Sequence, residues 1–76
     1  MNELRVLDAT GLKCPRPLFE VSKALKDLEP GGVLEVRADD PAFKLDIEAW
    51  CRRTGNDLVE LRRYQLTFTA LVRRVG

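Results

Sequence analysis

The 76-residue sequence contains no histidine, so it lacks both the commonest general base and the commonest metal ligand of proteins. Ser-His and Cys-His catalysis are therefore excluded. Only two cysteines occur, Cys14 and Cys51, and their wide separation fits neither a zinc site nor a disulfide framework. We accordingly expect no metal, no cofactor and a reducing compartment.

Long apolar runs and a charge excess are also missing. No apolar stretch approaches the roughly 20 residues that span a bilayer, and the opening MNELRVLDAT shows neither a basic leader nor an apolar signal core. This pattern predicts a cytoplasmic protein with no membrane association. Thirteen Lys and Arg against twelve Asp and Glu leave a net charge of +1. Nucleic-acid-binding domains usually carry a strong basic excess, so direct nucleic-acid binding is disfavoured.

The length predicts a single domain over residues 1–76 with a small core. Apolar periodicity within it predicts the element order β-α-β-α-β-β. The expected elements are a strand at 4–9, a helix at 15–28, a strand at 33–37, a helix between Pro41 and Gly55, and strands at 57–62 and 67–73. We predict a two-layer α/β (α+β) sandwich, in which right-handed crossovers place both helices on one face of a mixed four-stranded sheet.

Alternation and helical spacing assign residues to the two faces of this sandwich. In the second helix, Gly55 is expected to form a left-handed cap. The interior stripe of that helix comprises Phe43, Ile47, Trp50, Cys51 and Thr54, with Ala42, Leu45 and Ala49 on the opposite side. The open face of the sheet should display Arg5, Glu35, Arg37, Glu60 and Arg62.

The segment Gly11–Pro17 is the unusual part of the chain. It places Cys14 between a strand exit and a helix start, beside the cations Lys13 and Arg16 and the prolines Pro15 and Pro17. Prolines restrict their neighbours, so the thiol should be presented outward on a stiff backbone. The alternative is a cysteine that merely packs as a small apolar residue at a helix start.

A helix N-terminus and nearby cations lower the pKa of a thiol, so the surroundings of Cys14 favour the thiolate. The helix dipole alone contributes less than about one pKa unit, and a larger shift needs a hydrogen bond to sulfur. Because the two prolines lack N–H groups, we expect the sulfur to face the Arg16 amide. Lys13 and Arg16 would stabilise the anion electrostatically.

Other candidate groups have simpler interpretations. Cys51 lies on the apolar stripe and is expected in the core, not as a redox partner of Cys14. Asp39 and Asp40 precede Pro41 and are interpreted as a helix cap. Arginines cluster near the C-terminal hairpin, where they could contact phosphate or an acidic surface, although solvated strand ends are the simpler reading. These are Arg62, Arg63, Arg73 and Arg74.

Taken together, these residues resemble the TusA/SirA-type sulfur carriers, and the resemblance covers essentially the whole chain. The matching segments are Leu7-Asp8-Ala9, Gly11-Leu12, Cys14-Pro15-Arg16-Pro17, Asp39-Asp40-Pro41-Ala42, Asp46-Ile47 and Gly55. The resemblance implies a β-α-β-α-β-β sandwich whose motif cysteine, here Cys14, accepts sulfane sulfur as a persulfide from a cysteine desulfurase or rhodanese. It further implies relay to an acceptor in tRNA thiolation, molybdenum cofactor synthesis or sulfur oxidation. Arg16 departs from the tRNA-thiolation member, which has an acid between the prolines.

Two rival functions remain at this point. One is a small RNA-binding module that uses the arginine-rich hairpin, whose binding would weaken steeply with salt and ignore replacement of Cys14. The other is a regulatory interaction protein with an incidental cysteine, for which the Cys14 pKa would be that of a free thiol.

Overall fold

The computed structural model describes residues 4–76 and confirms the predicted order of elements. The elements are β1 (Leu4–Asp8), α1 (Arg16–Lys26), β2 (Val33–Ala38), α2 (Phe43–Thr54), β3 (Asp57–Tyr64) and β4 (Thr67–Arg73). The strand order across the sheet is β1-β2-β4-β3, with β1 parallel to β2 and the other two pairs antiparallel. Neither helix in residues 4–76 is long and apolar enough to cross a membrane.

Both helices pack on the same face of the sheet, as predicted. Val21 and Leu25 of α1 and Phe43 and Ile47 of α2 join one buried cluster with the inward side chains of the strands. Those inward strand residues include Leu34, Val36, Ala38, Phe68, Ala70 and Val72. The crossover rule therefore holds for both connections, and the β1–α1 loop and the start of α2 meet at one end of the sheet.

Helix α1 is shorter than its apolar periodicity predicts. It begins at Arg16 with Pro15 at its N-cap, and it ends at Lys26, so Leu28 lies beyond its last turn. Leu28 is nevertheless buried, with 1% of its surface exposed. The periodicity identified a core residue correctly but could not show that the helix had already ended.

Leu28→Ala is expected to lower the free energy of unfolding by about 2–5 kcal/mol, because it leaves a cavity in a small core. Urea unfolding followed by circular dichroism would measure this. Leu66→Ala is the matched control, since Leu66 is 75% exposed and its truncation should change stability by less than about 0.5 kcal/mol. Equal effects of the two substitutions would contradict the assignment of Leu28 to the core.

The predicted interior stripe of α2 is confirmed at four of its five positions. Phe43, Ile47, Trp50 and Cys51 are buried, and Gly55 follows with φ 79° and donates its amide to the Cys51 carbonyl at 2.9 Å. Thr54 was wrongly included, since it lies exposed at the last turn. Its hydroxyl donates to the Trp50 carbonyl at 2.8 Å, so the Thr54 side chain has a hydrogen-bond acceptor within its own helix.

The open face of the sheet was predicted correctly except for Arg5. Strand pairing places Glu35 and Arg37 on the face away from the helices, where they form an ion pair of 2.8 Å. Arg5 aligns instead with the buried Leu34, and its guanidinium lies 3.9 Å from Asp27 at the end of α1. Leu7 packs against the core, so β1 turns its odd-numbered residues inward and leaves Val6 exposed.

The last two strands form a tighter hairpin than predicted. Arg63 and Tyr64 belong to β3, and Tyr64 pairs with Thr67 across a turn in which Gln65 has φ 54°. A bulge interrupts β3 between Leu58 and Glu60. The bulge adds one residue, so Leu61 still faces the core and Arg62 the open face.

Candidate functional site

Cys14 lies in the loop between β1 and α1, immediately before the N-cap residue of the helix. The thiol is exposed, as the proline-flanked segment predicts, and the Cys14–Pro15 peptide bond is cis. Pro17 is buried within the first turn of α1, whereas Lys13 and Arg16 are exposed. The five residues singled out in the sequence thus form one segment that is exposed from Lys13 to Arg16 and anchored in the protein at Pro17.

Carboxylates that follow β2 hold this segment in place. Asp39 accepts a hydrogen bond from the Gly11 amide at 2.9 Å, and Asp40 accepts one from the Cys14 amide at 2.7 Å. The other oxygen of Asp40 accepts the Ala42 amide at 3.1 Å. The predicted helix cap is wrong, because the N-cap residue of α2 is Ala42 and no side chain caps it. Asp40 instead accepts the Ala42 amide in the turn before the helix and ties the cysteine loop to that turn.

The two amide hydrogen bonds to Asp40 lower the pKa of its carboxyl below the ordinary value of 3.8. The bond from Ala42 has the larger effect, followed by the bond from Cys14, and Lys13 adds a favourable charge. A carboxyl with a depressed pKa stabilises the fold above its unfolded value and loses that contribution as the pH falls through its folded value. The hydrogen bonds from the Cys14 and Ala42 amides to Asp40, which we call the Asp40 tether, should therefore be intact at neutral pH.

Asp40→Ala is expected to lower the midpoint of urea unfolding clearly at pH 7, because two backbone amides lose their acceptor. Below about pH 3.8 the difference from the parent protein should shrink, as Asp40 itself becomes protonated. Asp27→Ala is the control, since its side chain is 73% exposed and its ion pair with Arg5 contributes little. A deficit that stays constant across this pH range would contradict the proposed tether.

The Arg16 amide does not face the sulfur, contrary to our prediction. It donates to the Lys13 carbonyl at 2.9 Å and so closes a turn around Cys14 and Pro15. A backbone acceptor three residues earlier satisfies this N–H group, which leaves it unable to stabilise a thiolate.

The predicted lowering of the Cys14 pKa is also wrong. Its pKa is raised above the ordinary value of 9.0, chiefly because the Asp46 carboxylate hydrogen-bonds the thiol. Desolvation and the negative charges of Asp46 and Asp40 act in the same direction. A carboxylate that accepts from S–H favours the neutral thiol, so the resting sulfur is protonated at neutral pH.

Asp46 is the site residue that local sequence reasoning missed. It lies in the first turn of α2, where its amide donates to the Ala42 carbonyl at 3.1 Å, and an acid there has an ordinary interpretation as a partner of the helix dipole. Only the meeting of the β1–α1 loop with α2 brings Asp46 to Cys14. Its presence in a matching segment of the resemblance was the one available signal.

Cys51 is buried in the core, as predicted, with 3% of its surface exposed. Burial raises its pKa to about 11. Both cysteines are free thiols, one exposed and one enclosed, which agrees with the rejection of an internal redox pair.

The four arginines of the C-terminal hairpin already have partners within the protein. Arg62 pairs with Glu60 at 2.6 Å, and Arg73 pairs with Asp57. Arg74 donates to the Leu28 carbonyl, which lies just beyond the end of α1 and thereby gains a hydrogen-bond donor. The guanidinium of Arg63 donates to the Gln65 carbonyl at 2.8 Å and lies 5.9 Å from the centre of the Phe68 ring. These contacts favour the interpretation that the four arginines are solvated residues at strand ends. They argue against a patch that binds phosphate.

The residues described offer no alternative centre for chemistry. Within 4–76 there is no group of three or more acidic, cysteine or histidine side chains that could hold a metal ion. The exposed thiol, its two carboxylate neighbours and the proline-anchored loop are therefore the candidate site.

A comparison with protein families identifies the family of this chain. The family described as sulfurtransferase TusA matches residues 5–74. The chain belongs to the TusA family. This confirms the resemblance inferred from the Cys14-Pro15-Arg16-Pro17 and Asp39-Asp40-Pro41-Ala42 segments.

Individual relatives agree with the TusA assignment. The sulfur carrier protein TusA of Pseudomonas paraeruginosa is 41% identical over 69 residues, which cover 91% of this chain and 87% of that protein. YrkI of Bacillus subtilis, which is named as a sulfur carrier, is 47% identical over 60 residues, or 79% of this chain and 80% of that protein. A crystal structure of a SirA-like protein from Desulfitobacterium hafniense shares the fold, with a TM-score of 0.80 at 24% identity over 95% of this chain and 99% of that one.

Proposed function

We propose that this TusA-family protein is a sulfur carrier that holds sulfane sulfur as a persulfide on Cys14. The observation that supports this most directly is the exposure of a single thiol on a loop whose amides donate hydrogen bonds to Asp39 and Asp40. Pro17 anchors the segment in the protein, and Lys13 and Arg16 supply the cationic flanks of an anionic cargo. The other thiol, Cys51, is enclosed in the core and unavailable.

The loading step needs only a persulfide donor. The Cys14 thiolate attacks the outer sulfur of the donor persulfide, the S–S bond of the donor breaks, and its electron pair leaves on the donor thiolate. A new S–S bond forms at Cys14, and the reverse chemistry passes the outer sulfur to an acceptor thiolate. One S–S bond replaces another, so no external oxidant or reductant is required.

Asp46 disfavours the thiolate that this step requires, because it raises the pKa of Cys14. The Asp46 carboxylate favours the protonated form of the thiol, and the thiol proton must leave before sulfur can attack. Without bound sulfur, the carrier therefore reacts slowly with small electrophiles in solution. Loading by a small donor should then be slow, and a partner whose surface changes the local electrostatics should make it faster.

Donor and acceptor proteins are the partners of such a carrier. We propose a cysteine desulfurase or a rhodanese as the donor and a thiolation, cofactor-synthesis or sulfur-oxidation protein as the acceptor, all in the cytoplasm. No resident metal or cofactor takes part.

Intact-mass measurement tests this function. Incubation with a cysteine desulfurase and free cysteine should add one sulfur atom to the protein, and later addition of a small thiol should remove it. A protein that reacts with a thiol reagent in its folded state yet never gains sulfur from desulfurase or polysulfide would contradict the proposal.

A further inference from the structure

A shallow groove runs from the Cys14 loop along the start of α2 to the β3–β4 hairpin. It consists of two adjoining depressions of about 500 and 320 Å³ that share Pro41, Arg63 and Phe68 as lining residues. Lys44 lines the larger depression and Lys13 the smaller. We refer to the two together as the Lys44 groove.

The Lys44 groove adjoins the candidate site directly. Lys13, at one end, is the residue before Cys14, and Pro41, in the middle, follows the Asp40 carboxylate that accepts the Cys14 amide. A chain that lies in the groove could therefore bring a sulfur atom close to Cys14.

The groove is cationic although the whole chain carries only +1. Lys13, Lys44, Arg62 and Arg63 line it, and the one carboxylate in its lining, Asp39, accepts the Gly11 amide. Because Arg62 is paired with Glu60, the unbalanced positive charge comes from Lys13, Lys44 and Arg63. Among the described residues, no carboxylate lies within salt-bridge distance of Lys44. The charge of the groove is thus complementary to an acidic partner.

The groove also displays apolar side chains that no element of the fold covers. Leu45 and Leu66 are 70% and 75% exposed, and they lie at the larger and smaller depressions respectively. Phe68 is 8% exposed with the Arg63 guanidinium near its ring, so it offers no open platform for a nucleobase. Exposed leucines beside lysines suit a protein segment better than a nucleic acid.

We propose that the Lys44 groove binds an acidic, leucine-containing segment of the partner protein and so aligns the partner's sulfur with Cys14. This inference rests on the proposed sulfur-carrier function. In the aligned complex, the acceptor thiolate attacks the outer sulfur of the Cys14 persulfide, the S–S bond to Cys14 breaks, and Cys14 leaves as the thiolate.

Sulfur transfer to synthetic peptides tests the groove. The probes are two short peptides that each end in cysteine, one with alternating glutamate and leucine and the other with alternating lysine and leucine. The protein is loaded with polysulfide, and the rate of sulfur transfer to each peptide thiol is followed by mass spectrometry. Comparison of each variant with the parent on the same peptide removes differences in peptide thiol pKa.

Lys44→Glu should slow transfer to the acidic peptide about tenfold at low salt and speed transfer to the basic one. The variant should fold, because glutamate in the first turn of a helix suits the helix dipole. Arg53→Glu makes the same charge change nine residues later in α2, about 14 Å away, and should leave both rates near those of the parent. Leu45→Ser should slow transfer to the acidic peptide without changing its salt dependence.

The outcomes separate this inference from the proposed function. Equal effects of Lys44→Glu and Arg53→Glu would overturn the groove while leaving persulfide loading intact. Failure of the parent protein and both variants to accept sulfur from polysulfide would instead overturn the carrier function. Loss of binding to a labelled uridine oligonucleotide in Lys44→Glu, with no change in peptide transfer, would identify the groove as an RNA site. Concentration-dependent dimers abolished by Leu45→Ser would assign it to a second copy of the chain.

Discussion

Cys14→Ser is expected to lose all detectable sulfur loading while keeping its fold. Serine preserves the shape of the side chain but cannot form or break an S–S bond, so the carrier chemistry has no remaining atom to act on. The side chain is exposed and outside the buried cluster, so the urea unfolding midpoint should stay close to that of the parent protein. Intact mass after incubation with a desulfurase and cysteine measures the loading.

Cys51→Ala is the matched control for this result. Cys51 is buried and its pKa is raised to about 11, so it contributes almost no thiolate at neutral pH. A folded Cys51→Ala protein should therefore load sulfur as the parent does. Sulfur gain by Cys14→Ser, or loss of loading in a stably folded Cys51→Ala, would refute the assignment of Cys14 as the carrier atom.

Asp46→Asn is expected to make Cys14 more reactive at neutral pH. The substitution removes the negative charge that, with its hydrogen bond, raises the pKa of the thiol, so the folded-state pKa falls. Each unit of fall raises the thiolate fraction about tenfold at pH 7, while the weaker basicity of the thiolate reduces its nucleophilicity. The net gain in alkylation rate is about threefold per unit.

The pH dependence of iodoacetamide labelling measures this effect, with peptide mapping to locate the label on Cys14. The midpoint of the pH–rate curve should move to lower pH in Asp46→Asn. Glu48→Gln makes the same charge change two residues further along α2, and its curve should overlay that of the parent. An unchanged midpoint in Asp46→Asn would show that the carboxylate does not control the thiol.

The carboxylates of Asp46 and Asp40 also affect the reactivity of Cys14 when no partner is bound. A cysteine flanked by Lys13 and Arg16 at a helix start would, from its sequence neighbours alone, be a reactive thiolate. Asp46 and Asp40 reverse that tendency. The resting protein is thereby protected from adventitious alkylation and oxidation, and the cationic Lys44 groove remains available for binding a partner.

Much of this protein could be predicted from local patterns. The order of six elements, the placement of both helices on one sheet face, the buried Cys51 and the exposed Cys14 all follow from periodicity, proline positions and helix-end residues. These features depend on interactions between residues close in sequence, or on one apolar face meeting another. One error lies in β1, whose inward residues include Leu7 and Ala9, so that Arg5 does not lie on the open face as predicted.

The chemistry of the thiol was decided by tertiary structure alone. Helix α1, strand β2 and their connecting loops separate Cys14 from Asp46 in the chain, and only the packing of α2 beside the β1–α1 loop brings the carboxylate to the sulfur. The Arg16 amide donates to the Lys13 carbonyl instead of facing the sulfur. This hydrogen bond depends on the geometry of the loop, which residue propensities for helix or strand do not specify. Electrostatic effects on a thiol depend on distance in space, so neighbours along the chain could single out Cys14 as a candidate but could not predict its protonation state.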